Sequence, residues 1–367
     1  MKDYKLLTPG PLTTTDSVKQ AMLFDRCTWD DDYKQITQKI RQQLLALAAA
    51  SPGAYTAVLL QGSGSFGVEA VLTTCIGRED TCLIITNGAY GQRMVKMAEY
   101  LGLHYIVCQV PYGQPADAAT VRLLLEANDA ITHVAMVHCE TTTGILNPLQ
   151  EMADLAKAYG KTFIVDAMSS FGGLEIPVQE WKIDYLISSA NKCIQGVPGF
   201  CFVLARTEAL AGCRGQARSL CLDLYDQWQC MEKDGKWRYT SPTHVVAAFS
   251  RALDELAAEG GVSARNRRYR ENNKLLREKL KSLGFAPYIA EESQSPIITT
   301  FLFPYSDFDF NRFYHYVKER GFVLYPGKLT DADTFRIGNI GEIYRQDISL
   351  LGDIIEEYMR AEHHEHN

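Results

Sequence analysis

Lys192 stands in ISSANKCIQGVPG, between an apolar run and a Gly/Pro turn, with few other charges near it. An amine placed there is partly stripped of water, which lowers its pKa and makes it a nucleophile and a base. A solvated surface lysine is the ordinary alternative. Asp166, 26 residues earlier, ends the run KTFIVD. A lone Asp at a strand end is more often a helix cap. Ser63, Gly64 and Ser65 form a Gly/Ser turn after TAVLLQ and open a helix, where free N–H groups and the positive dipole end suit a phosphate. HCETTTG carries Thr141 and Thr142, and NGAYGQR carries Tyr90, an aromatic able to cover a flat ring. A phosphate cradle, a carboxylate, an amine and an aromatic face together fit pyridoxal phosphate (PLP): Asp166 would keep its ring nitrogen protonated and Lys192 would take its aldehyde.

Those groups need elements that bring them to one edge. Short β-branched runs lie at 56–61, 81–86, 104–110, 132–138, 161–167, 184–190 and 200–205, with amphipathic helical stretches between many of them. Strands alternating with helices predict a mostly parallel seven-stranded sheet with helices on both faces. Ligands then sit beyond the carboxyl ends of the strands, where the four groups fall. Past residue 206 the pattern breaks into polar, aromatic and Cys-containing sequence until about 245. A long charged helix over 264–284 and the runs IITTFLF and FRIGNIG follow, which predicts a smaller α+β domain. The expected division is an N-terminal segment over 1–20 lining the site, a large domain over 21–250 and a small one over 251–367.

Gly62 to Gly67 also matches GxGxxG, the dinucleotide fingerprint. The next strand ends Thr86-Asn87-Gly88, without the carboxylate that grips a ribose, so a nicotinamide site is rejected. The chain is 46% hydrophobic and 22% charged, with a net charge of −7. That balance speaks against a general nucleic-acid binder. No apolar run is long enough to span a membrane, and MKDYKLLTPGP lacks an apolar signal core, so no membrane association and a cytoplasmic location are expected. The ten scattered cysteines, none in a CxxC pair, read as free thiols in a reducing compartment. The tail from Glu362 to Asn367 reads as a frayed terminus.

Taken in order, LLTPGPLTT (6–14), CTWDDDY (27–33), QGSGSFGVEA (61–70), TNGAYGQR (86–93), HCETTTGILNP (138–148), VDAMSSFGG (165–173), SSANKCIQGVPGF (188–200), YTSPTH (239–244) and FRIGNIG (335–341) resemble the fold-type I, class V PLP-dependent aminotransferases. The likeness runs along nearly the whole chain. It implies Lys192 as the Schiff-base lysine and Asp166 as the pyridinium partner. It implies phosphate contacts from Ser63, Gly64 and Ser65, ring contacts from Thr141 and Tyr90, and further cofactor contacts from Ser170 and Asn191. Thr240 would reach the cofactor of a second subunit, which implies a homodimer with shared active sites. Arg336 would bind the substrate's acid group, and Thr8 and Gly10 would line the substrate pocket. LLTPGPLTT and CTWDDDY are closest to members that move the amino group of 2-aminoethylphosphonate to pyruvate. Members that use glyoxylate usually carry a His-Arg pair near the second motif, where this chain has Trp29-Asp30. Alanine–glyoxylate or serine–pyruvate transamination is the alternative. A desulfurase would need a mobile cysteine loop, and Cys213, Cys221 and Cys230 show no such pattern. A non-catalytic binding protein on the same scaffold is disfavoured by intact Lys192, Asp166 and Arg336.

Overall fold

The computed structural model describes residues 4–327, 329 and 332–365. Seven strands form the main sheet: β1 (Tyr55–Gln61), β2 (Thr81–Thr86), β3 (His104–Gln109), β4 (Ile131–Val137), β5 (Thr162–Asp166), β6 (Tyr185–Ser189) and β7 (Phe200–Arg206). Their order is β1-β7-β6-β5-β4-β2-β3, parallel except for β7, which runs antiparallel to β1 and β6. The α/β, mostly parallel class expected from the alternation is the one observed. β5 and β6 are covered on both faces, which is why they read as continuous apolar runs rather than alternating ones.

The longer helices are α1 (Asp31–Leu47), α2 (Gly64–Cys75), α3 (Ala89–Tyr100), α4 (Ala118–Ala127), α5 (Leu149–Ala158), α6 (Leu224–Asp234), α7 (Thr243–Glu259), α8 (Gly261–Ser282), α9 (Phe310–Glu319) and α10 (Arg345–Glu365), with short ones over Asp16–Gln20 and Thr207–Ala211. The stretch expected to be irregular over 206–245 therefore holds α6. Asp223 caps it by accepting from Asp226 N at 3.0 Å, and Gly235 closes it at φ 71°. Leu224, Trp228 and Met231 form its buried side, a helical spacing masked in sequence by the polar residues between them.

A second, antiparallel sheet of β8 (Ile298–Leu302), β10 (Thr334–Gly338) and β9 (Tyr325–Pro326) lies in that order beside a separate apolar cluster. Phe285, Phe301, Phe313 and Phe335 pack there, with Phe285 edge-on to Phe335 at 5.5 Å. Truncating such a ring costs about 3–5 kcal/mol. Buried side chains of α7 as far as Leu256 join the larger core.

The N-terminal segment ties the two cores together. Lys5 and Leu6 pair with Phe322 and Val323, Leu7 enters the smaller cluster, and Val18 enters the larger one. Gly338 N donates to Leu7 O at 2.9 Å, which carries Pro9 and Gly10 to the carboxyl edge of the main sheet. The tail is ordered further than its composition predicts, because α10 continues to Glu365 and Glu362 accepts from Tyr305 Oη at 3.1 Å. Residues 366 and 367, and the side chains from 363 onward, lie outside the described residues. No described helix is long and apolar enough to cross a membrane.

Candidate active site

A cavity of about 240 Å³ opens at the carboxyl ends of β1, β5 and β6. Ser63, Gly64, Ser65, Tyr90, Asp166, Asn191 and Lys192 all line it. Residues spread over 130 positions of sequence meet because each follows a neighbouring strand, or opens the helix after one.

Asp166 is the last residue of β5 and is only 6% exposed. Its Oδ1 accepts from Met168 N at 2.9 Å. Burial raises its pKa from 3.8 to about 6; the Met168 N–H, Lys192 and Arg93 pull the other way, while the Glu140 charge adds to the rise. This carboxylate would gain from a cation set directly against it.

Lys192 follows β6 on the turn that leads to Gly196, and its Nζ donates to Pro9 O at 2.9 Å. Gly10 makes that approach possible. It holds φ +114°, and a Cβ there would lie 2.8 Å from Asn191 O and from Lys192 Cδ. Gly10→Ala is therefore expected to lose about 1–3 kcal/mol and to push the lysine stem aside. Urea unfolding, paired with the rate of lysine modification, checks this.

α2 points its N-terminus at the cavity. Ser63, its N-cap residue, makes no side-chain capping bond, so the first-turn amides are not capped by their own side chain. Such an end suits an anion.

Tyr90 opens the first turn of α3, and its placement depends on Glu140, which the sequence reading passed over. Glu140 is fully buried. Its Oε2 accepts from Tyr90 N at 3.0 Å and Gly91 N at 3.2 Å, and its Oε1 from Thr142 N at 3.1 Å and Thr142 Oγ1 at 2.6 Å. Burial raises its pKa, and those four donors oppose the rise. Arg93, one helical turn after Tyr90, was also missed. It lines the cavity, lies 4.9 Å from the Tyr90 ring and donates to Ser65 Oγ at 3.2 Å. Its i+3 spacing from Tyr90 was the available signal.

Other expected residues fall elsewhere. Ser170 is buried with its Oγ 2.9 Å from His138 Nδ1. Burial pushes His138 down to about 3, so this pair is a neutral support under the strand tips. Thr8 Oγ1 donates to Pro11 O within its own turn. Thr141 is buried, and its carbonyl accepts from Arg336 Nη1 at 2.9 Å. Arg336 itself does not line the cavity. It is fully buried in β10, donates through Nε to Pro326 O at 3.0 Å and lies 4.8 Å from the Tyr325 ring. Its Nη2 has no hydrogen-bond partner among the described residues. Thr240 is exposed and lines a different cavity of about 550 Å³ with Phe66 and Tyr239.

The chain matches the family described as Aminotransferase class-V over residues 27–344. It is 62% identical to a 2-aminoethylphosphonate–pyruvate transaminase of Lysinibacillus sphaericus, with all of both chains covered. It is 57% identical to the protein of that name in Klebsiella pneumoniae, over 98% of each. Among solved structures, an alanine–glyoxylate aminotransferase from Nostoc sp. superposes with a TM-score of 0.89 at 24% identity, covering 97% of this chain and 95% of that one. A pyridoxamine–pyruvate aminotransferase from Mesorhizobium loti gives 0.89 at 23%, covering 97% and 93%. At such identities these likenesses speak for the fold.

Proposed function

We infer that this chain, which belongs to the class-V aminotransferase family, moves the amino group of 2-aminoethylphosphonate to pyruvate, giving phosphonoacetaldehyde and L-alanine. The family implies PLP, and the residues fit it. The observation that carries the reading is the meeting of Lys192 and Asp166 in one cavity under the N-terminus of α2. The choice of donor is supported by relatives at 55–62% identity that carry that activity in their names.

Ser63, Gly64 and Ser65 would hold the cofactor's phosphate, with the α2 dipole behind them. Tyr90 would cover the ring with Asn191 beside it, and Ser170 (bonded to His138) and Thr141 (accepting from Arg336) would support the site from behind. Asp166 would set its charge against the ring nitrogen, where a cation beside this buried carboxylate would favour its ionised form. When bound, PLP supplies an electron sink for the carbon that loses its proton. Lys192 would hold the cofactor at its aldehyde, and its Nζ would take the proton from the substrate's amine-bearing carbon and give it back, base and acid in turn. Arg336 would bind the phosphonate of the donor and the carboxylate of pyruvate, since its planar fork suits both.

Thr240 would serve the cofactor of a second copy, making the enzyme a homodimer with shared sites. Its exposure beside Phe66 and Tyr239, which are 50% and 47% exposed, supports this. Free cysteines support a cytoplasmic location.

The test is spectroscopic. The PLP-loaded protein should show the visible band of a lysine-bound cofactor. Excess 2-aminoethylphosphonate should bleach it and pyruvate should restore it. Bleaching by alanine or serine alone would move the donor to the alternative. The absence of any band after adding PLP would remove the reading altogether.

A further inference from the structure

One face of the small sheet carries more unmet polar atoms than a buried surface should. Thr300 Oγ1, Thr334 Oγ1 and Arg336 Nη2 are all buried, and none has a hydrogen-bond partner among the described residues. Native interiors leave few such atoms, so each calls for a reason. The register shows that they share a face. Thr300 stands directly opposite Arg336 in the β8–β10 ladder, and Tyr325 stands opposite Arg336 on its other side. Residues directly opposite in an antiparallel pair project to the same face, with Cβ atoms about 4.5–5.5 Å apart. Thr334 lies two positions from Arg336 on the same strand and so shares that face too.

The other face behaves differently. Thr299, next to Thr300, turns toward α8, where its Oγ1 accepts from Asn273 Nδ2 at 2.9 Å. Adjacent threonines on one strand thus differ: the hydroxyl packed against a helix is satisfied, and the hydroxyl beside Arg336 is not.

Resting on the proposed function, the geometry points to Thr300 as a specificity-determining residue that donates to the third oxygen of the phosphonate. A planar guanidinium matches two oxygens of an acid. Its Nε holds Pro326 O and one hydrogen of Nη1 holds Thr141 O, which fixes the plane and leaves Nη2 and the second hydrogen of Nη1 for two oxygens. A carboxylate has no further oxygen to satisfy. A tetrahedral phosphonate has one that leaves the guanidinium plane and needs a donor from the flank. The Thr300 hydroxyl, on the neighbouring strand and out of water, is that donor. Losing a bond to a charged group in such a place is expected to weaken binding at least tenfold.

Thr300→Val keeps the shape and removes the hydroxyl. The KM for 2-aminoethylphosphonate should rise at least tenfold, the KM for pyruvate should stay within about twofold, and kcat should change little. Thr300→Ser should keep the parent values. In the PLP-loaded protein, ethylphosphonate should compete less well against the Val variant, and propionate equally well. The melting temperature of Thr300→Val should not fall, because an unpartnered hydroxyl is being removed. A lower melting temperature, unchanged KM values or an equal rise in both would overturn the assignment. A parent enzyme that leaves 2-aminoethylphosphonate untouched would overturn the proposed function, and the assignment with it.

Discussion

Lys192→Ala should fold like the parent chain and turn over more slowly by on the order of 10⁴-fold. The side chain is only partly buried, and its hydrogen bond to Pro9 O is worth about 1 kcal/mol of structural support. The chemistry loses far more, because the same amine is expected to anchor the cofactor and to carry the proton. Circular dichroism should be unchanged while the visible band disappears. Methylamine fits the space left by the side chain and should restore part of the rate. A variant that kept full activity would take the lysine out of the mechanism. One that unfolded would make it structural, and Lys192→Arg would then separate shape from chemistry, since Arg keeps the stem and the charge but cannot act as a base near neutral pH.

The placing of Lys192 and Asp166 at strand ends was readable in the sequence because the signals are local. Asp166 ends an apolar run, Lys192 follows one, and 26 residues is the length of one strand-plus-helix unit. The main sheet was readable for the same reason. What escaped depends on partners distant in sequence. Glu140 stood in a quoted motif, yet its task is set by the docking of the α3 N-terminus, 50 residues away. Arg93 needed only the helical phase of Tyr90. The face that joins Thr300, Thr334 and Arg336 exists only once the register of β8 on β10 is known. α6 was hidden because half of its length faces polar surroundings and the buried stripe is short.

Asp166→Asn should move stability and activity in opposite directions. In the cofactor-free protein the Asp166 pKa is raised from 3.8 to about 6, chiefly by burial. The folded state therefore holds this proton more firmly than the unfolded chain does. The stability tied to the group is fully present below about pH 3.8 and is lost as the pH rises through about 6. Above that, the ionised buried carboxylate costs about 3 kcal/mol relative to its neutral form. Asparagine keeps the acceptor for Met168 N and cannot ionise. The gain of the variant over the parent should be close to zero at pH 4 and approach about 3 kcal/mol by pH 7.5, less whatever the amide loses facing Lys192 and Arg93. Urea unfolding of the cofactor-free proteins across that range measures it. The loaded variant should be slower by on the order of 10³-fold, because a neutral amide no longer holds a proton on the ring nitrogen. A stability difference that stays flat with pH would mean that Asp166 is not the buried titrating group. A gain in stability with full activity would mean that its charge serves no catalytic end. The two results expected together locate the charge's use in the reaction: a buried carboxylate that Lys192 and Arg93 offset only in part would be matched by the protonated ring nitrogen of the ligand.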